Sequence, residues 1–160
     1  MQLNSSIPEP KILIYGYGNP GRQDDGLGVL LADMVEEWKQ NEGFYFIETD
    51  SNYQLNIEDA ADIAGKDIVI FADASQEEID DIDFTVVKPS PEVNFSMHAV
   101  SASFVLNLCK DIYNKIPQAY LLHIKGYEWE MKEGLTKKAQ ENLSKAFQFI
   151  KDKIAEFSKI

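Results

Sequence analysis

The sequence predicts a single three-layer α/β/α domain built on a five-stranded, mostly parallel sheet. Three observations lead there. Short apolar runs alternate with segments of helical period along the chain, the first three runs arrive in β-α-β-α-β order, and no repeat, low-complexity tract or linker divides residues 1–160. Such alternation implies right-handed crossovers, with helices on both faces of the sheet.

KILIYGYG is a short apolar run stopped by glycines, as expected of a strand covered on both faces. After Gly26 the period becomes helical, with Leu27, Leu30, Leu31, Met34, Val35 and Trp38 recurring at threes and fours. FYFIETD reads as a second strand, NIEDAADIAG as a short helix ended by Gly65, and DIVIFADAS as a third strand. The charged connection QEEIDDIDFTVVKPSPE contains a weaker strand at Phe84 to Val87, an edge or reversed strand ended by Pro89 and Pro91. Its acidic run EEIDDID reads as a solvated loop. A helix is expected from about Ser96 through Val100, Phe104, Leu108 and Ile112 to Lys115, then a fifth strand in AYLLHIKG. A long closing helix follows, capped by Thr136, with Ala139, Leu143, Phe147, Ile150, Ile154 and Phe157 as its buried stripe.

Composition narrows the function. A formal charge of −12 leaves no basic footprint for a nucleic-acid backbone. The opening MQLNSSIPEPK lacks a basic start and an apolar core, and no apolar run reaches membrane-spanning length, so a soluble cytoplasmic protein is expected. With one cysteine, Cys109, the chain cannot make an internal disulfide or a thiolate cluster of its own. Oxygen and nitrogen ligands remain.

In an α/β sheet of this kind the functional crevice lies beyond the carboxyl ends of the strands. The loop there, YGYGNPGRQDDG, carries two competing signals. Gly16, Gly18 and Gly21 spell the G-x-G-x-x-G of a dinucleotide site, with Glu48 on the second strand as a ribose contact. Yet Asp24 and Asp25 fall where the helix dipole would hold a pyrophosphate, and carboxylates repel one. Read locally, Asp24 is a helix N-cap and Asp25 a first-turn acid. Asp73, at the end of the apolar third strand, must face the crevice or be buried at a cost of several kcal/mol, and so wants a partner. His98, in NFSMHAVSASF, adds an imidazole from a third loop, and such an N/O set suits Zn, Ni, Fe or Mn. His123, mid-strand, reads as structural.

With these residues in view, the chain resembles the [NiFe]-hydrogenase maturation endopeptidases, which remove a C-terminal extension from the hydrogenase large subunit after nickel insertion. The similarity spans nearly the whole chain and rests on GYGNPGRQDDGLG, on IVIFADAS and on SMHAVSASFVLNL. It implies a phosphorylase/hydrolase-like fold with one antiparallel strand. It also implies that Asp25, Asp73 and His98 form the catalytic, nickel-ligating set, with nickel brought by the substrate; other divalent metals such as Zn or Cd would fit the same donors. Asn19, Arg22 and Asp24 are the expected substrate contacts, and Asp24 is also a spare acid. Arg22 would hold a substrate carboxylate or brace the two acids. The implied partner is the large-subunit precursor, met by a monomer, with neither nucleic acid nor membrane involved. Two loops depart from the family pattern: TDSNYQLN lacks a glycine-rich turn, and GYEWE lacks a proline. Both border the expected substrate groove and bear on which hydrogenase is processed. A non-catalytic nickel-binding checkpoint is the reading of another class.

Overall fold

The structure, a computed structural model, describes residues 8–92 and 100–159. Its strands are β1 (Ile12–Tyr17), β2 (Ile47–Asn52), β3 (Ile68–Ser75), β4 (Ile82–Val86) and β5 (Gln118–Lys125), and its helices α1 (Leu27–Glu42), α2 (Ala60–Ala64), α3 (Ala102–Tyr113) and α4 (Lys137–Ser158). The sheet order is β2-β1-β3-β5-β4, parallel except for β4, which runs antiparallel to β5 at one edge. The weak fourth strand is therefore both an edge and reversed, as its composition allows.

Alternation along the strands sorts the core into two layers. Ile12, Ile14, Ile70, Leu122 and Ile124 pack under α1 and α4, whose buried stripes include Leu27, Leu31 and Val35 and Ala139, Leu143, Ile150 and Ile154. Leu13, Tyr15, Val69, Phe71 and Ala119 pack under α2 and α3 on the other face. Thr136 caps α4 as expected, accepting from Ala139 N at 3.2 Å.

Three expectations are corrected. Strand β2 begins at Ile47 rather than at Phe44, because Gly43 ends α1 in the left-handed region and Phe44 N then bonds back to Lys39 O. Phe44 turns in to stack edge-on against Trp38, while Tyr45 is left 92% exposed. Helix α3 begins at Ala102, not Ser96: Ser101 is extended, and its hydroxyl accepts from Phe104 N. Asn114, at φ 55°, ends it at Tyr113, short of Lys115. The buried face of α3 is Ala102, Val105, Leu106 and Cys109, and Ile112 is 63% exposed. Steps of four drift about 40° each around a helix, whereas mixed threes and fours hold one face toward the sheet.

Cys109 is fully buried, its thiol pushed up to about 11 by burial, with Sγ 3.4 Å from Ala60 O. Held in the core, Cys109 is not placed to act as a nucleophile. Cys109→Ala is expected to leave catalysis intact and cost about 1 kcal/mol of stability; inactivation with the fold preserved, seen by activity assay and circular dichroism, would contradict this.

Candidate functional site

Helix α1 sits unusually close to the sheet at its first turn. A Cβ on Gly28 would stand 2.3 Å from Ala72 O and 2.8 Å from Tyr17 O, so only glycine permits the approach. This packing draws the preceding 3-10 turn, Gln23–Gly26, over the carboxyl end of β3 and brings Asp25 toward Asp73. Gly18, at φ +136°, lets the loop double back, and any side chain there would collide with Asp25 O at 2.1 Å.

The turned-back loop is held by Asp25 itself, whose Oδ2 accepts from Asn19 N at 2.9 Å. Asn19 Oδ1 in turn accepts from Gly21 N at 2.9 Å. The loop amide that a dinucleotide phosphate would need is thus taken by a carboxylate. Glu48 does not lie at the crevice either; it is the second residue of β2 and pairs with Lys66, which removes the ribose contact. The glycines serve close packing, not phosphate binding.

Asp73 is half-buried near the end of β3, and its carboxyl is raised to about 7, first by loss of solvent and then by the nearby charge of Asp25; Ala74 N opposes the shift. Two carboxylates therefore converge without a cation between them among the described residues. Among the described residues no group of three or more His, Cys, Asp or Glu side chains is placed to hold a metal ion. Tyr17, unremarked in the sequence, stands beside them, its phenol pushed well above the usual range by burial and by the Asp73 charge. His98 lies outside the described residues.

The raised Asp73 carboxyl has a consequence for stability. Between the unfolded value near 4 and about 7, the folded chain holds a proton that the unfolded chain releases, so stability falls as pH rises through that window. Asp73→Asn is expected to raise the melting temperature of the metal-free protein at pH 8, by at most about 4 kcal/mol, and to change it little at pH 4. Equal shifts at both pH values in a thermal melt would contradict the assignment.

Asp24 takes a role the sequence did not reveal. It is 0% exposed, and its carboxylate accepts from Tyr127 N (2.8 Å), Glu128 N (3.1 Å), Thr136 N (2.8 Å) and Thr136 Oγ1 (2.8 Å). Neither the 3-10 turn nor α1 has a side-chain cap, so Asp24 is not the helix cap, and with both oxygens engaged in the interior it is not a substrate contact. Gln23 extends the clamp: its Oε1 accepts from Glu130 N, and its own N–H donates to Lys132 O. Gln23 adopts φ 48°, a left-handed conformation uncommon for a side-chain-bearing residue. Together they strap the loop after β5, which carries GYEWE, against the turn that holds Asp25. Arg22 forms no ion pair among the described residues, so it does not brace the two acids, and it remains half-exposed at the loop.

Solved structures share this architecture over nearly the full chain. The hydrogenase maturating endopeptidase HybD from E. coli aligns with a TM-score of 0.75 at 20% identity, covering 91% of this chain and 93% of that one. The fold is that of the hydrogenase maturation proteases. A [NiFe] hydrogenase maturation protease, HycI from Thermococcus kodakarensis, aligns with a TM-score of 0.72 at 21% identity, over 95% of this chain and 94% of that one. A hydrogenase 2 maturation peptidase from a Thaumarchaeota archaeon gives 0.67 at 17%, over 91% and 98%. Neither a protein-family model nor a curated protein matches the sequence. No described helix is long and apolar enough to cross a membrane.

Proposed function

We propose that this chain is an endopeptidase that removes the C-terminal extension of a [NiFe]-hydrogenase large-subunit precursor once nickel has been inserted. The observation that carries the proposal is the convergence of Asp25 and Asp73 at the carboxyl end of the sheet, in a fold whose solved examples include hydrogenase maturation proteases. In this reading nickel belongs to the substrate, and the site tests whether the precursor is loaded.

The chain's own residues hold and orient. Asn19 N fixes one oxygen of Asp25 and leaves Oδ1 for the metal; Asp73 supplies the second carboxylate, and His98 is the third ligand. A divalent cation seated there supplies Lewis acidity beside the scissile carbonyl. Arg22, half-exposed near Asp25, meets a carboxylate of the precursor. The dinucleotide reading loses its support, because the loop amide and Glu48 are both engaged elsewhere.

The test is to incubate the protein with a nickel-loaded large-subunit precursor and weigh the products. Release of a C-terminal peptide supports the endopeptidase; a stable complex with an uncut precursor would instead indicate a nickel-binding checkpoint without cleavage.

A further inference from the structure

We propose that His123 and Thr85 hold the substrate peptide beside the cleavage site, a positioning role that rests on the endopeptidase reading above. His123 pairs in register with Asp73 across β5 and β3, so the two side chains leave the same face of the sheet at the same level. From the other side the edge strand brings Thr85, whose Oγ1 lies 3.2 Å from His123 Nε2. With that nitrogen engaged, Nδ1 is the hydrogen-bonding atom the ring has left to offer.

Both residues line a groove of about 280 Å³ together with Tyr17, Val87, Ser101 and Leu121. Tyr17 ends β1 one residue beyond the Gly16–Ala72 pair, and His123 is paired with Asp73, so the groove lies beside the carboxyl end of β3 where Asp73 sits. At its far wall is β4, which among the described residues pairs only with β5, leaving outer main-chain groups available to an extended chain. The lining of the groove mixes aliphatic side chains with hydroxyl and imidazole groups, which suits a peptide side chain and its main-chain amide. An extended segment of the precursor flanking the scissile bond is the occupant this lining fits, and neither His123 nor Thr85 is asked to take part in bond cleavage.

The experiment is steady-state cleavage of a nickel-loaded large-subunit precursor by the wild type, His123→Ala, His123→Gln, Thr85→Val and the double variant His123→Ala/Thr85→Val. Loss of one hydrogen bond predicts a KM raised about tenfold in His123→Ala and in Thr85→Val, with kcat within about twofold of wild type. The double variant should be little worse than either single one, because the two side chains act as a unit, and His123→Gln should recover part of the loss. Thr85 is exposed, and valine keeps its β-branched shape, so that variant tests the proposal even if His123→Ala folds poorly. Unchanged KM in Thr85→Val and His123→Gln, with Asp73→Asn inactive, would overturn this assignment and leave the endopeptidase standing. So would a collapse of kcat at constant KM, which would place His123 in the chemistry. No cleavage by the wild type would remove both readings.

Discussion

Asp25→Asn, Asp73→Asn and His98→Ala are each expected to stop processing of a nickel-loaded precursor, lowering kcat/KM by at least about a thousandfold. A site with few protein ligands loses most of its function when any one is removed, and residues that act as a unit are strongly non-additive. Combining two of the substitutions should therefore add little to either alone. The fold should survive: Asp25 and Asp73 repel each other in the absence of metal, so removing one charge relieves strain rather than creating it. The readout is product mass against time, with circular dichroism as the folding control. Normal cleavage by Asp73→Asn would contradict the site directly.

Asp24→Asn is expected to behave in the opposite way, losing stability first and activity as a consequence. Four donors converge on this buried carboxylate. An asparagine can present only one oxygen to them and turns its amide hydrogens toward the rest. Leaving buried donors unsatisfied costs about 1–3 kcal/mol each before relaxation, so a loss of about 3 kcal/mol is expected overall. The amides of Tyr127, Glu128 and Thr136 should lose hydrogen-exchange protection together, since one carboxylate holds all three. A simple helix cap would cost only about 1 kcal/mol and leave those amides protected, and that outcome would contradict the clamp.

The contrast between these adjacent aspartates shows what the sequence made legible. Strand and helix order could be read because period alone separates IVIFADAS from the stripe Leu27, Leu31, Val35; sheet geometry then points to the Asp24–Asp25 loop and to Asp73, and the family resemblance singles out Asp25. Asp24 reads as a cap in the sequence because a carboxylate before an apolar helical period satisfies a local rule. Its partner Thr136 lies 112 residues away, and no local pattern encodes that contact. Glu48 was misplaced for a related reason: moving the start of β2 from Phe44 to Ile47 puts Glu48 at the wrong end of the strand. His123 reads as structural because a mid-strand histidine carries no local signal; its pairing with Asp73 is set by the docking of β5 on β3. The shift of α3 from the Phe104, Leu108, Ile112 face to the Val105, Leu106, Cys109 face reflects competition between two apolar faces, decided by which one meets the sheet.

The central claim is that a metal carried by the substrate completes this site. It is tested most directly by presenting one large-subunit precursor in two forms, nickel-loaded and nickel-free, to the same protein under the same conditions and following the mass of the precursor. Loss of the C-terminal peptide is expected from the loaded form only, with the empty form intact after the loaded one is consumed. Equal cutting of both forms would contradict it and leave a carboxylate protease indifferent to nickel.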